Sequence, residues 1–183
     1  MKKISIIVVM LSCFFAKAQQ SSSEQVGNSL QSKFSYRVLT AYQENAATKI
    51  EDVFNYFQLL TDTSLNDDTK KEIISNINLV FRNQNPMVID VTSETLDAIE
   101  LKKLIQKLLI SEPIVFKIVN QNKFNFITSN SWENNYTIIR TKSGKNKSFA
   151  VYQTIFMIQE VKQFGSSTKS VWINFLGDIV THN

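Results

Sequence analysis

At Pro113 the spacing of apolar residues changes, and that change limits what this chain can fold into. Before it, apolar side chains recur in steps of three and four, the period of a helix with one buried face. After it they recur in steps of two, the period of a strand. Ala46, Ala47, Ile50, Val53, Phe54, Phe57 and Leu60 form one such helical stripe within Ala41–Leu60. The Thr, Asp, Ser and Asn residues of 61–68 then supply turn and N-cap chemistry. A second helix is expected over Asn66–Phe81, striped by Ile73, Ile74, Ile77, Val80 and Phe81, with Asp67 and Asp68 at its positive end. Beyond Pro86, Met87–Val91 is short and β-branched and reads as a strand. Asp97 with Glu100 three residues on has the spacing of a capping box, so a third helix is expected over Asp97–Leu109.

Past Pro113 the expected strands are Ile114–Val119, Phe124–Thr128, Trp132–Thr141, Ser148–Lys162 and Ser170–Val180. The stretches Lys142–Asn146 and Phe164–Thr168 are short polar turns, which imply antiparallel hairpins. Within Ser148–Lys162, Phe149, Val151, Ile155 and Met157 alternate with Tyr152, Phe156 and Ile158. Apolar residues on both faces predict a sheet partly covered on each side. Helices first and a long antiparallel meander last make an α+β chain. The expectation is two or three N-terminal helices packed on a curved, mostly antiparallel sheet of about four to six strands.

The first residues carry a different message. Lys2 and Lys3 precede an apolar run, Ile4–Phe15, and Ala16-Lys17-Ala18 fits a small-x-small cleavage pattern. The run is shorter than the roughly 20 residues a membrane-spanning helix needs. The expectation is a cleaved signal peptide over 1–18, a polar linker over 19–33 and one α+β domain over 34–183, exported to the periplasm or outside the cell. The alternative is a lipoprotein anchored through Cys13, since Met10-Leu11-Ser12-Cys13 faintly resembles a bacterial lipobox. Cleavage would remove the single cysteine and Lys2, Lys3 and Lys17. Taking those three from the 20 basic residues leaves 17 against 16 acidic ones. The net charge of +4 is then mostly a property of the leader. The cluster Lys142, Lys145, Lys147 reads as a solvated hairpin tip, and no basic face of the kind that binds nucleic acid is evident.

Much chemistry is excluded. His182 is the sole histidine and lies next to the C-terminus. Without His and Cys in the body, nucleophilic triads and the usual zinc sites are ruled out. No dinucleotide fingerprint, phosphate loop or His-Glu-x-x-His occurs. No cofactor and no metal site is expected. Two carboxylates remain as candidate bases. Asp90 sits inside an apolar strand and Asp178 ends the apolar run Trp172–Gly177, where desolvation would raise a pKa. Trp132, Tyr136, Tyr152, Phe156 and Trp172, all on expected strands, are candidates for a ligand or partner surface.

The order of elements from Ala41 to Val180, with the long final strands Ala150–Gln159 and Val171–Gly177, resembles the nuclear transport factor two-like superfamily. That resemblance implies a cone of helices over a bent sheet. Members bind small apolar molecules in the cone, act as enzymes or serve as non-catalytic partners. Three functions follow as expectations. The first is an exported, non-catalytic domain that binds a protein or cell-envelope component. The second is a carrier or sensor of a small apolar ligand, and the third an isomerase or dehydratase using a buried carboxylate.

Overall fold

The computed structural model of the chain describes residues 30–82, 84–122 and 128–181. Residues 1–29 with the expected signal peptide and Cys13, residues 124–127 of the expected strand Phe124–Thr128, and His182 lie outside the described residues. Thr128 itself is not in a strand. The chain is α+β, with four helices among the described residues packed on a four-stranded antiparallel sheet and a separate two-stranded one.

A helical turn, α1 (Leu30–Lys33), falls inside the stretch read as a linker, and its Leu30 is buried. Helix α2 (Tyr36–Leu60) begins five residues before the expected Ala41, because Leu39 and Gln43 extend the buried stripe back from Ala46 by about two turns. Helix α3 (Asp67–Val80) starts where expected. The Asn66 side chain accepts the Thr69 N–H, and Ile73 and Ile77 are buried.

The expected helix over Asp97–Leu109 needs correction. Ala98–Glu100 is strand β2, paired antiparallel with β1 (Met87–Ile89) in the register Met87↔Glu100 and Ile89↔Ala98. Helix α4 (Leu101–Leu109) starts only after it and buries Leu101, Leu104, Ile105 and Leu108. No capping box forms. The Leu101 N–H donates to the Pro86 carbonyl and the Lys102 N–H to Asn85 Oδ1, so the helix start is satisfied from outside. Asp97 instead accepts Thr95 Oγ1–H, while its carbonyl accepts the Asp90 N–H.

The main sheet is a meander in the order β3 (Ile114–Asn122), β4 (Ser131–Lys142), β5 (Lys145–Phe164), β6 (Ser167–Thr181). The strands outrun their expected limits because the connections shrink to two residues, Ser143-Gly144 and Gly165-Ser166. At the first, both φ values are positive, 49° and 73°, as a type I′ hairpin requires. Two register shifts bend the sheet. One lies opposite Tyr136 in β3, and the other at Gly177-Asp178 in β6. A Cβ on Gly177 would stand 2.5 Å from the Phe156 ring, so a side chain at the second bend would have to displace that ring.

Helix α2 crosses the inner face from one sheet edge to the other. At the β6 edge, Lys49 donates to the Asn174 carbonyl and Tyr42 to the Trp172 carbonyl. At the β3 edge, the Ile114 and Phe116 N–H groups donate to Thr61 Oγ1 and Gln58 Oε1, both at the C-terminal end of α2. Side chains of one helix thus occupy backbone groups of both edge strands, where unpaired groups invite association. Beneath it, Phe54 makes edge-on contacts with Phe57, Phe116 and Tyr136 at 5.5, 5.6 and 6.1 Å between centroids.

Candidate functional site

The two candidate carboxylates do different structural jobs. Asp90 follows β1 and is 2 % exposed. One oxygen accepts the Thr92 N–H and hydroxyl at 3.0 and 2.6 Å, and the other accepts Lys107 Nζ of α4 at 2.5 Å. Burial pushes this carboxyl up, but the Lys107 and Thr92 hydrogen bonds and the lysine's charge outweigh it and hold Asp90 below the usual range. That is the opposite of the raised value its apolar sequence neighbours suggest. Asp178 is exposed at the β6 bulge and accepts the Met87 N–H at 2.9 Å, tying β1 to the main sheet.

The five candidate aromatics are not brought together. Trp132 and Tyr136 lie on the inner face, 1 % and 2 % exposed, and belong to the core. Trp132 Nε1–H donates to Asn134 Oδ1, and the Tyr136 hydroxyl donates to Gln153 Oε1 at 2.8 Å. Burial drives the Tyr136 hydroxyl well above its ordinary pKa. Trp172 is half-buried against Phe34 beside α2. Tyr152 and Phe156 are half-buried on the opposite face. There Phe156, Ile158 and Phe175 line a cleft of about 120 Å³, closed on one side by Arg82 and Gln84.

A different site assembles at the β4–β5 hairpin, from Arg140-Thr-Lys-Ser-Gly-Lys-Asn-Lys147. The register pairs Arg140 with Lys147 and Lys142 with Lys145. Positions two apart share a face. Two successive rungs on one face of the hairpin are therefore cation opposite cation, with Cβ atoms about 5 Å apart across each rung. Like charges so placed repel, and the first rung shows how the repulsion is answered. Glu94, in the loop between β1 and β2, accepts Arg140 Nη2–H with one oxygen and Lys147 Nζ with the other, at 3.0 Å. These two partners, Lys147 first, hold the Glu94 carboxyl below the usual range. Arg140 is 3 % exposed and also donates to the Val91 and Ser93 carbonyls. Its guanidinium carbon stands 5.4 Å from the centre of the Phe149 ring, with Lys147 Nζ at 5.5 Å from the same ring.

The second rung has no such carboxylate. Among the described residues, Lys142 and Lys145 make no ion pair. Ser143 between them donates to Glu112 on the β3 side of the tip. Both lysines line a concavity of about 490 Å³ with Glu94, Arg140 and Lys147. The expectation of a freely solvated tip is therefore incomplete. Lys147 is committed to Glu94, while the outer rung is open. The missing participants were Arg140, whose place in the ladder follows from a two-residue turn at Ser143-Gly144, and Glu94, which is 46 residues away and gives no local signal.

Compared with known protein families, curated proteins and solved structures, the chain matches none. Among the described residues no group of His, Cys, Asp and Glu could hold a metal ion, and no helix is long and apolar enough to cross a membrane.

Proposed function

We propose that this chain is an exported, non-catalytic domain that binds an anionic, phosphate-bearing component of the cell envelope at the β4–β5 hairpin. One observation carries the reading: the Lys142–Lys145 rung repeats the geometry of the Arg140–Lys147 rung but lacks the bridging carboxylate that Glu94 supplies there. Two ammonium groups act as point charges, and a phosphate group, whether a diester or a monoester, presents negative charge on several acceptor oxygens between them. Export is inferred from the leader pattern of residues 1–18. The element order resembles that of the nuclear transport factor two-like superfamily and supports kinship with it. The enzymatic and cone-ligand readings draw no comparable support. Asp90 and Asp178 are engaged in structural bonds, and Trp132 and Tyr136 are buried in the core.

Titration with inorganic phosphate at constant ionic strength, followed on lysine side-chain NMR signals, tests the site. Saturable shifts are expected at Lys142 and Lys145 and not in the double variant Lys142→Ala, Lys145→Ala. Shifts of similar size across all lysines, or none that saturate, would overturn the assignment.

A further inference from the structure

The long hairpin of β5 and β6 runs on past the body of the sheet. β4 ends against β5 at the pair Ser131↔Phe156, with one further bond from the Met157 N–H to the Asn130 carbonyl. Among the described residues, β5 from Ile158 to Phe164 pairs only with β6, and no strand pairs with its other edge. Every residue from Val161 to Ser170 is exposed, Val161 at 75 % and Phe164 at 51 %. A two-stranded ribbon in water with apolar side chains on it is at best marginally stable. Helix α2 meets the edge backbone at Ile114 and Phe116 of β3 and at Trp172 and Asn174 of β6, whereas among the described residues nothing bonds to the backbone of this edge.

The open edge reads Ile158-Gln-Glu-Val-Lys-Gln-Phe164. Reversed, it keeps its chemistry. Apolar residues stand at both ends, glutamine stands one step in, glutamate and lysine exchange places, and valine is at the centre. An antiparallel pairing of this edge with itself, about a two-fold axis through Val161, puts Glu160 opposite Lys162, Gln159 opposite Gln163 and Ile158 opposite Phe164 of the other copy. The hydrogen-bonding phase agrees. Met157 turns its N–H toward the β4 side, so alternate residues 159, 161 and 163 also turn their backbone groups to the open edge. The pairs 161–161, 159–163 and 163–159 are then the ones that exchange both N–H···O bonds. Glu160–Lys162 falls on the closer, non-bonded positions where side chains meet best. Within one chain Lys162 faces Lys169, a like-charge pair. The second copy sets a carboxylate on the other side of Lys162. Arg82 approaches Glu160 only at 3.9 Å.

We infer that this edge binds a second copy of the chain, joining two sheets into one continuous antiparallel sheet through β5. The contact is isologous and closed, so it makes dimers and not fibres. It is independent of the lysine rung, and the phosphate titration above does not read it.

Charge exchange tests it. Sedimentation equilibrium of the wild-type chain is expected to give twice the monomer mass. Glu160→Lys alone and Lys162→Glu alone set like charges opposite each other and should return it to monomer mass. The double variant Glu160→Lys, Lys162→Glu restores the opposite-charge pairs and should regain the dimer. A wild-type chain that stays monomeric at every soluble concentration would overturn the inference. So would a dimer indifferent to the single changes, or a double variant that stays monomeric although its circular dichroism is that of the folded chain.

Discussion

Phe54→Ala is expected to remove about 3–5 kcal/mol of folding stability, measured by chemical denaturation. Phe54 is 2 % exposed and is the ring through which α2 reaches both β3 and β4. Truncation forfeits the transfer free energy of the ring and leaves a cavity beneath a helix that cannot collapse into it. That helix is pinned to both sheet edges by Lys49, Tyr42, Gln58 and Thr61. Domain stabilities are of order 5–15 kcal/mol, so the loss should lower the melting temperature by roughly 10 °C. Leu79→Ala, on the solvent side of α3 at 59 % exposure, is the control and should stay within about 0.5 kcal/mol of wild type. A Phe54 variant as stable as the control would mean that α2 does not hold the inner face as described.

Asp90→Asn should destabilise the fold by about 1–3 kcal/mol at neutral pH, because it takes the charged acceptor away from Lys107 and the Thr92 turn. The pH dependence carries more information. The folded-state pKa of Asp90 lies below its unfolded value near 3.9. Such a group contributes its stability above the unfolded pKa and loses it as pH falls through the folded pKa. The gap between wild type and variant should therefore be full at pH 7, shrink below about pH 4, and close in stronger acid. Asp62 and Glu94 are also held low, but they titrate alike in both proteins and cancel in the difference. A gap that widens on acidification would mean that Asp90 has a raised pKa, and would return it to the list of candidate bases.

Asp90 also illustrates where reading the sequence runs out. Its neighbours Val88, Ile89 and Val91 announce burial, and burial is found. Lys107, which reverses the consequence, arrives from a helix 17 residues on, and its approach is a matter of tertiary packing. The same limit explains the false capping box. Asp97 and Glu100 have the right spacing, but Ala98–Glu100 can pair with Met87–Ile89, and Asn85 and Pro86 serve the start of α4 instead. By contrast, whatever depends on period alone was legible. The α2 stripe lies on the buried side. The alternation along β5 separates buried Phe149, Val151, Ile155 and Met157 from half-buried Tyr152, Phe156 and Ile158, as its step of two requires. Trp132 and Tyr136, four apart on β4, had to share a face, and they share the inner one. The lysine rungs were legible in part. Two residues in left-handed conformation at Ser143-Gly144 force Lys142 opposite Lys145. The burial of Arg140 and the reach of Glu94 depend on where the β1–β2 loop lies.

Vesicle co-sedimentation tests directly whether the outer rung holds a phosphate-bearing partner. The full chain is incubated with vesicles of phosphatidylcholine alone and with equimolar phosphatidylcholine and phosphatidylglycerol, at low and at high salt. Binding is expected only to the anionic vesicles, weakening with salt as exposed charges are screened. It should vanish in the Lys142→Ala, Lys145→Ala variant while Lys102→Ala, Lys103→Ala on α4 leaves it unchanged. Equal binding by the wild type and the hairpin variant, or no binding by either together with no saturable response to inorganic phosphate, would contradict the central claim.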